Sequence, residues 1–300
     1  MHSPDQDLAA VHVSSRRRFR AVGVPFAAGA LGQGASGAPA ALRRAGLLSQ
    51  ARAVGLDFED VGDVTLPEAV VSLFHSVPPI RHWPLPRHVW EATRNQLRPV
   101  LEAGDFALAL GGDCSIFVGV AQALIDVVGP QKVHVLYIDG HIDAEAPRAA
   151  ACVGAAAMGL RIATEASPFW PGPMLPASAV SAIGCSRQIH VQIPHFTLED
   201  VRGLGAEQVA RLALQRCAAA EALLVHFDVD VMADAELPGA YDPSTDGLTR
   251  DEAFLLLRTI LADPRVRAAE VTEYCPENDP DQRGATTLVQ LLTTACAAGA

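Results

Sequence analysis

Val133-His134-Val135-Leu136-Tyr137-Ile138-Asp139-Gly140-His141-Ile142-Asp143 is the stretch on which the fold turns. Its first half is apolar nearly throughout and stops abruptly at an acid. A strand exposed on one face would alternate, so this run reads as a central strand of a parallel sheet covered on both sides. Outward from it one unit repeats: a short apolar run, a Gly- or Asp-rich turn, then a longer helical stretch. The other expected strands are Ala21–Phe26, Ala53–Leu56, Phe106–Leu110, Ala179–Ile183, Leu223–Phe227 and Ala269–Thr272. Helices are expected over Ala40–Leu48, Arg87–Ala103, Ser115–Val128, Ala206–Ala218, Thr249–Leu261 and Thr286–Ala298. Pro39 suits the start of the first, Pro99 is expected to kink or end the second, and Thr249-Arg250-Asp251-Glu252 is a capping box. The expectation is an α/β fold with a mostly parallel central sheet, with residues 20–300 forming one domain behind a mobile tail, 1–19. In such sheets ligands collect beyond the carboxyl ends of the strands.

Bulk properties narrow the function. The chain has 300 residues, 50% of them hydrophobic and 19% charged, enough to bury a large core. A net charge of -11 argues against a nucleic-acid partner, which needs clustered Lys and Arg to neutralise phosphates. No apolar stretch reaches the roughly 20 residues of a membrane helix. Ser15-Arg16-Arg17-Arg18-Phe19 resembles a twin-arginine export signal, but cleavage beyond Ala21–Ala30 would remove the first strand, so a cytoplasmic location is expected. The six cysteines show no framework and no Cys-x-x-Cys pair, which fits reduced thiols. The Pro-rich stretches Ser72–Pro86 and Pro168–Ala177 read as surface loops able to wall a pocket.

Three strands end in polar runs that place acids, His or Cys where a site should be. They are Leu110-Gly111-Gly112-Asp113-Cys114-Ser115, Ile138-Asp139-Gly140-His141-Ile142-Asp143 and Phe227-Asp228-Val229-Asp230-Val231, and Glu273 follows a fourth strand. On an extended backbone Asp139, His141 and Asp143 project to one side. Carboxylates with an imidazole suit a divalent ion. Asp228 and Asp230 repeat the alternation among apolar neighbours, a costly arrangement without a cation. Either run alone could be a solvated strand end or a helix cap. Both in one chain, behind a Gly-Gly-Asp-Cys turn, favour a metal site.

This order of motifs resembles the arginase, agmatinase and formimidoylglutamase family of ureohydrolases. The likeness extends through most of the chain, including Val22-Gly23-Val24-Pro25-Phe26 and Gly34-Ala35-Ser36-Gly37-Ala38-Pro39. The resemblance implies a three-layer αβα fold and two divalent ions, manganese foremost. It implies that Asp139 and Asp228 bridge the ions, that Asp143 and Cys114 complete one, and that His141 with Asp230 completes the other. A metal-bridging hydroxide would attack a guanidino carbon, releasing urea and an amine. Glu273 resembles the acid that pairs with the guanidinium, and Asp143 the group that holds the hydroxide and relays its proton. A homo-oligomer is implied as well.

The chain departs from the family pattern twice. Position 114 is Cys where better-known members have His, and a thiolate ligand moves preference from manganese towards zinc, iron or cobalt. Some arginase relatives, including hydroxyarginine hydrolases, are similar in carrying Cys here; a small buried cysteine that binds nothing is the other reading. Ala149–Leu160 lacks polar residues for the amino-acid end of arginine and lacks a proton-shuttling His, and Ile183-Gly184-Cys185-Ser186-Arg187 lacks an acid to meet an α-ammonium. An apolar or differently charged guanidino compound is therefore expected in place of free arginine. His226 and His190 remain as proton donors, against the commoner structural role of a lone His. The rival functions are a catalytically degenerate relative acting as a binding or assembly partner, and a deacylase of acylated amines.

Overall fold

The run at Val133–Ile138 is a strand with every residue buried, as is Phe106–Leu110, both at the expected boundaries. The computed structural model describes residues 17–71, 79–148, 150–185 and 193–299. Ser15, Arg16, Ser186, Arg187, His190 and residues 72–78 lie outside the described residues. The strands are β1 (Arg18–Gly23), β2 (Asp57–Asp63), β3 (Phe106–Leu110), β4 (Val133–Ile138), β5 (Val180–Ile183), β6 (His195–Phe196), β7 (Ala222–Asp228) and β8 (Val266–Thr272), and the α-helices are α1 (Ala38–Arg44), α2 (Leu47–Ala53), α3 (Glu68–Val71), α4 (Leu85–Glu102), α5 (Phe117–Val128), α6 (Gly159–Thr164), α7 (Leu198–Leu204), α8 (Ala206–Arg216), α9 (Arg250–Leu261) and α10 (Arg283–Ala297). They form one eight-stranded sheet in the order β2-β1-β3-β8-β7-β4-β5-β6, and every pairing is parallel.

Alternate residues of the central strands feed two cores, which makes the three-layer αβα arrangement. Ala109, Tyr137 and Leu224 pack with Val89 and Leu97 of α4 (Leu85–Glu102) and Phe117 and Val120 of α5 (Phe117–Val128). Leu110, Ile138 and Phe227 face the other way. They join Val209 of α8 (Ala206–Arg216), Leu257 of α9 (Arg250–Leu261) and Leu288 of α10 (Arg283–Ala297). Thr249 caps α9 with Glu252 in a reciprocal capping box, as its sequence requires. Among the described residues no helix is long and apolar enough to cross a membrane.

Several boundaries differ from expectation for identifiable reasons. Ala53 ends a helix, α2 (Leu47–Ala53), and the strand expected at Ala53–Leu56 lies downstream in β2. That strand is polar because it is an edge strand, and its Asp60 pairs with Arg43 at 2.7 Å. The single helix expected over Ala40–Leu48 is two, α1 (Ala38–Arg44) and α2, divided at Gly46, whose φ of 91° only glycine adopts freely. Helix α4 continues through Pro99, which sits in its last turn. At the amino end the stretch expected to be tail reaches the sheet: Arg18 and Phe19 begin β1, and Arg17 donates to the Leu261 carbonyl at 2.8 Å.

Register places the functional runs side by side. Leu110 pairs with Val271, Val271 with Phe227 and Phe227 with Ile138, so β3, β8, β7 and β4 finish level with one another. The Gly111-Gly112 step that follows β3 is pressed between two backbones. A methyl group on Gly112 would fall on the Phe26 carbonyl oxygen, and one on Gly111 on that of Val271. No side chain can swing away to relieve such a clash. Gly112→Ala is accordingly expected to cost about 3 kcal/mol in denaturant unfolding. A loss below about 0.5 kcal/mol would mean that the loop shifts freely.

Candidate metal centre

Each polar run turns immediately after its strand. The Asp139 Oδ1 accepts from the His141 N–H at 2.6 Å, the Asp228 Oδ1 from the Asp230 N–H at 2.8 Å, and the Asp113 Oδ1 from the Ser115 N–H at 2.8 Å. These two-residue side-chain turns are what Asp does at strand ends. They correct the extended geometry expected for Asp139–Asp143 and for Asp228–Asp230: the side chains converge through bends, and Val229–Val231 is a short 3-10 turn. Asp113 also accepts from Gly29 N–H at 2.8 Å, so its carboxylate is spent on holding the loops. Asp143 and Glu273 carry left-handed backbones, with φ of 43° and 60°. For a non-glycine residue that conformation costs about 1–3 kcal/mol and gathers at functional sites.

Two groups of donor atoms result. Cys114, Asp139, His226 and Asp228 offer atoms within 4.8 Å of one another, and so do Asp139, His141 and Asp230. Asp139 is common to both. The Cys114 thiol donates to Asp228 Oδ2 at 2.6 Å, and His141 Nδ1 meets Asp230 Oδ2 at 2.8 Å. Asp143 stands outside both groups, its Oδ2 accepting from the Tyr137 hydroxyl at 2.8 Å. Glu273 also stands outside them, and its Oε1 accepts from the Cys114 N–H at 2.9 Å. Above the groups opens a cavity of about 780 Å³, with Cys114, Asp143, Asp228, Asp230 and Glu273 among its lining. The Pro-rich stretch 168–177 contributes nothing to that lining.

His226, considered from sequence only as a proton donor, enters the first group. It lies inside β7, fully buried, and its Nδ1 is 2.6 Å from Oε1 of the equally buried Glu270 on β8. Its Nε2 is 3.6 Å from Asp139 Oδ2, too long for a hydrogen bond yet close enough for charge attraction. The signal was available: strand period two carried backwards from Asp228 reaches His226, and from Thr272 reaches Glu270.

The cluster holds more negative charge than its imidazoles can balance. Burial, then repulsion by Asp230, pushes Asp228 well above the usual carboxylate range. Burial and Asp139 do the same to Asp143, and burial and Asp113 to Glu273. Asp230 rises to about 6 through burial and Asp139. The Cys114 thiol is pushed well up by burial and by Asp228. His141 is raised to about 9, chiefly by its bond to Asp230. Burial works against the charge on His226, yet contacts with Asp139 and Glu270 hold it at about 10. Asp139 resists burial through His226 and His141 and lies below its ordinary value. The buried Asp139 Oδ2 and Glu273 Oε2 have no hydrogen-bond partner. Carboxylates, imidazoles and a thiol in this state fit divalent cations.

A pH dependence follows for the metal-free protein. Carboxyls and imidazoles with raised values keep protons in the folded state that the unfolded chain gives up, so their stability contribution shrinks as pH rises. Asp139, with its lowered value, runs the other way and loses stability only as pH falls through that value. Chelator-treated protein is expected to melt at a higher temperature near pH 5 than near pH 9. Divalent ions, which replace those protons, should reverse the trend. A metal-free melting temperature that climbs with pH contradicts this account of the charges.

A parallel α/β sheet with such a cluster at four adjacent strand ends defines a class of protein whose side chains could hold divalent ions. Comparison with known proteins identifies which. The model of the arginase family matches residues 17–297. An arginase of Staphylococcus aureus (strain COL) is 26% identical over 288 residues, covering 91% of this chain and 95% of the relative. The arginase structure from Bacillus caldovelox superposes with a TM-score of 0.83 at 22% identity, covering 93% of this chain and 98% of that one. A Trypanosoma cruzi formiminoglutamase structure with Mn2+ does so with a TM-score of 0.74 at 20% identity, covering 94% and 93%. The chain belongs to the arginase family and is a ureohydrolase-type hydrolase.

Proposed function

We propose that the protein hydrolyses a guanidino C–N bond to release urea and an amine, and that its substrate carries an apolar or otherwise non-amino-acid tail. The observation that carries this reading is the convergence of Cys114, Asp139, His141, Asp228 and Asp230 around the shared Asp139, beneath a cavity that Glu273 enters. These five side chains would hold two divalent ions. When bound, the ions supply Lewis acidity, lowering the pKa of water towards neutrality.

The chain's own residues do the rest. Glu273 is anchored at Oε1 by the Cys114 N–H, which leaves Oε2 to accept a guanidinium N–H. A carboxylate meets a guanidinium with matched charge and planar geometry. Asp143, held by the Tyr137 hydroxyl, takes a proton from the attacking water at its carboxylate and passes it to the departing amine. Ala144, Ala146, Ala156 and Ala157 offer methyl groups to the tail of the substrate, in a lining that also holds Glu145, Arg161 and Asp242. A cytoplasmic location, a homo-oligomer and no nucleic-acid partner belong to the same reading, and the six free cysteines fit a reducing compartment.

The test is urea release from a panel of guanidino compounds with alkyl, carboxylate and ammonium tails, using metal-loaded protein. Alkyl-tailed members are expected to react faster than free arginine. No urea from any member, with metal present at two ions per chain, would leave a binding protein in place of an enzyme. Cys114→His adds a prediction about the metal. Replacing sulfur by imidazole is expected to raise the manganese retained after dialysis relative to zinc, as elemental analysis would record.

A further inference from the structure

His226 and Glu270 form a buried pair on the central strands β7 and β8, each two residues before the strand's carboxyl end. Register puts Tyr137, His226 and Glu270 level on β4, β7 and β8. The imidazole stacks on the Tyr137 ring, with centroids 3.9 Å apart and planes 11° from parallel, and the Phe117 ring meets it edge-on at 5.7 Å. The Tyr137 ring thus covers one face of the imidazole, and Nδ1 is held by Glu270 at 2.6 Å. Only Nε2 is left, and it points up the strand towards Asp139 Oδ2 at 3.6 Å and Cys114 Sγ at 3.8 Å. With Nδ1–H given to Glu270, Nε2 faces a carboxylate and a sulfur. Three electron-rich atoms share such a dry pocket only with a positive centre between them: a proton on Nε2 in the metal-free protein, and a divalent ion that displaces that proton when metal binds.

We propose that His226 is the fourth ligand of one ion, completing with Cys114, Asp139 and Asp228 a thiolate, imidazole and dicarboxylate set. Donors bound about 2.0–2.3 Å from a tetrahedral ion lie roughly 3.3–3.8 Å apart. The separations from Nε2 to oxygen and to sulfur match that edge length, whereas Cys114 Sγ and Asp228 Oδ2, joined at 2.6 Å by the thiol proton, would have to part when an ion replaces that proton. Glu270 is a positioning residue. It fixes the tautomer and orientation of the imidazole, as acids behind metal-bound histidines do. Such a four-donor set, with sulfur and nitrogen in it, selects zinc or cobalt over manganese at this position. The proposal rests on the metal-dependent reading above, but it concerns ligation alone.

Two measurements test it without reference to turnover. Crystals grown with zinc, mapped by anomalous scattering at the zinc edge, should place an ion about 2.0–2.1 Å from His226 Nε2. In chelator competition Glu270→Gln should weaken zinc binding by about 10–100-fold. The double replacement His226→Phe with Glu270→Leu, which removes both buried polar groups together, should lower zinc content by one ion per chain while the protein stays folded. An ion held by Cys114, Asp139 and Asp228 with Nε2 beyond bonding distance overturns the proposal. So does the absence of any ion there, or an unchanged affinity in Glu270→Gln. Ligation by His226 with no urea from any guanidino compound would sink the proposed activity alone. Urea release with His226 unligated would sink this inference alone.

Discussion

Asp139→Asn is expected to cost the protein at least one divalent ion and to slow turnover at least a thousandfold, about 4 kcal/mol of barrier. The reason is that Asp139 alone belongs to both donor groups. Its Oδ1 is tied to the His141 N–H, and its Oδ2 is buried without a hydrogen-bond partner. An asparagine of the same shape brings one oxygen and an NH2, which cannot ligate, so whichever way the amide turns one group loses a donor. The variant also removes a charge from a cluster already overloaded with acids, so it should remain folded. Elemental analysis and urea release on the same sample decide the matter. If one ion and most of the activity survive, Asp139 is not shared and the arrangement of the ions must be redrawn.

Glu273→Gln is expected to behave differently, keeping both ions while losing about a hundredfold in kcat/KM, about 3 kcal/mol. Glu273 lies in neither donor group, and its Oε2, which has no hydrogen-bond partner, is the acid that the proposed reaction would offer to a guanidinium. Glutamine preserves the shape and the acceptor that Cys114 uses, and removes only the charge. Kinetics at equal metal content separate this role from ligation. Loss of metal, or unchanged kcat/KM, would show that Glu273 does something else.

Sequence reading found the parts of this site that follow apolar strands and lost those embedded within them. Phe106–Leu110 and Val133–Ile138 are legible because buried parallel strands are apolar on both faces and end at an acid. Asp139, His141, Asp228, Asp230, Cys114 and Glu273 stand out for the same reason. His226 and Glu270 do not, because a single polar residue inside an apolar run reads as an exception; only their register makes them a pair. The bends after β4 and β7 were missed because an Asp side chain competes with extension only once its backbone partner is in reach. The left-handed backbones at Asp143 and Glu273 had no signal at all, since neither residue is glycine. Strand β2 was displaced because one edge of a sheet needs only alternate apolar residues, and its acids look like loop.

The position of β8 bears on how the molecule is made. It is the last of the described strands in sequence, yet it lies between β3 and β7. A growing chain can therefore assemble β2-β1-β3 and β7-β4-β5-β6 only as two separate ribbons, each with an unpaired edge, until residues beyond 266 arrive to join them. Pairings so distant along the chain form slowly, and bare edges invite association in the meantime. Insertion of that strand also carries Glu273 to the cavity, so closure of the sheet and completion of the candidate site are one event in biosynthesis.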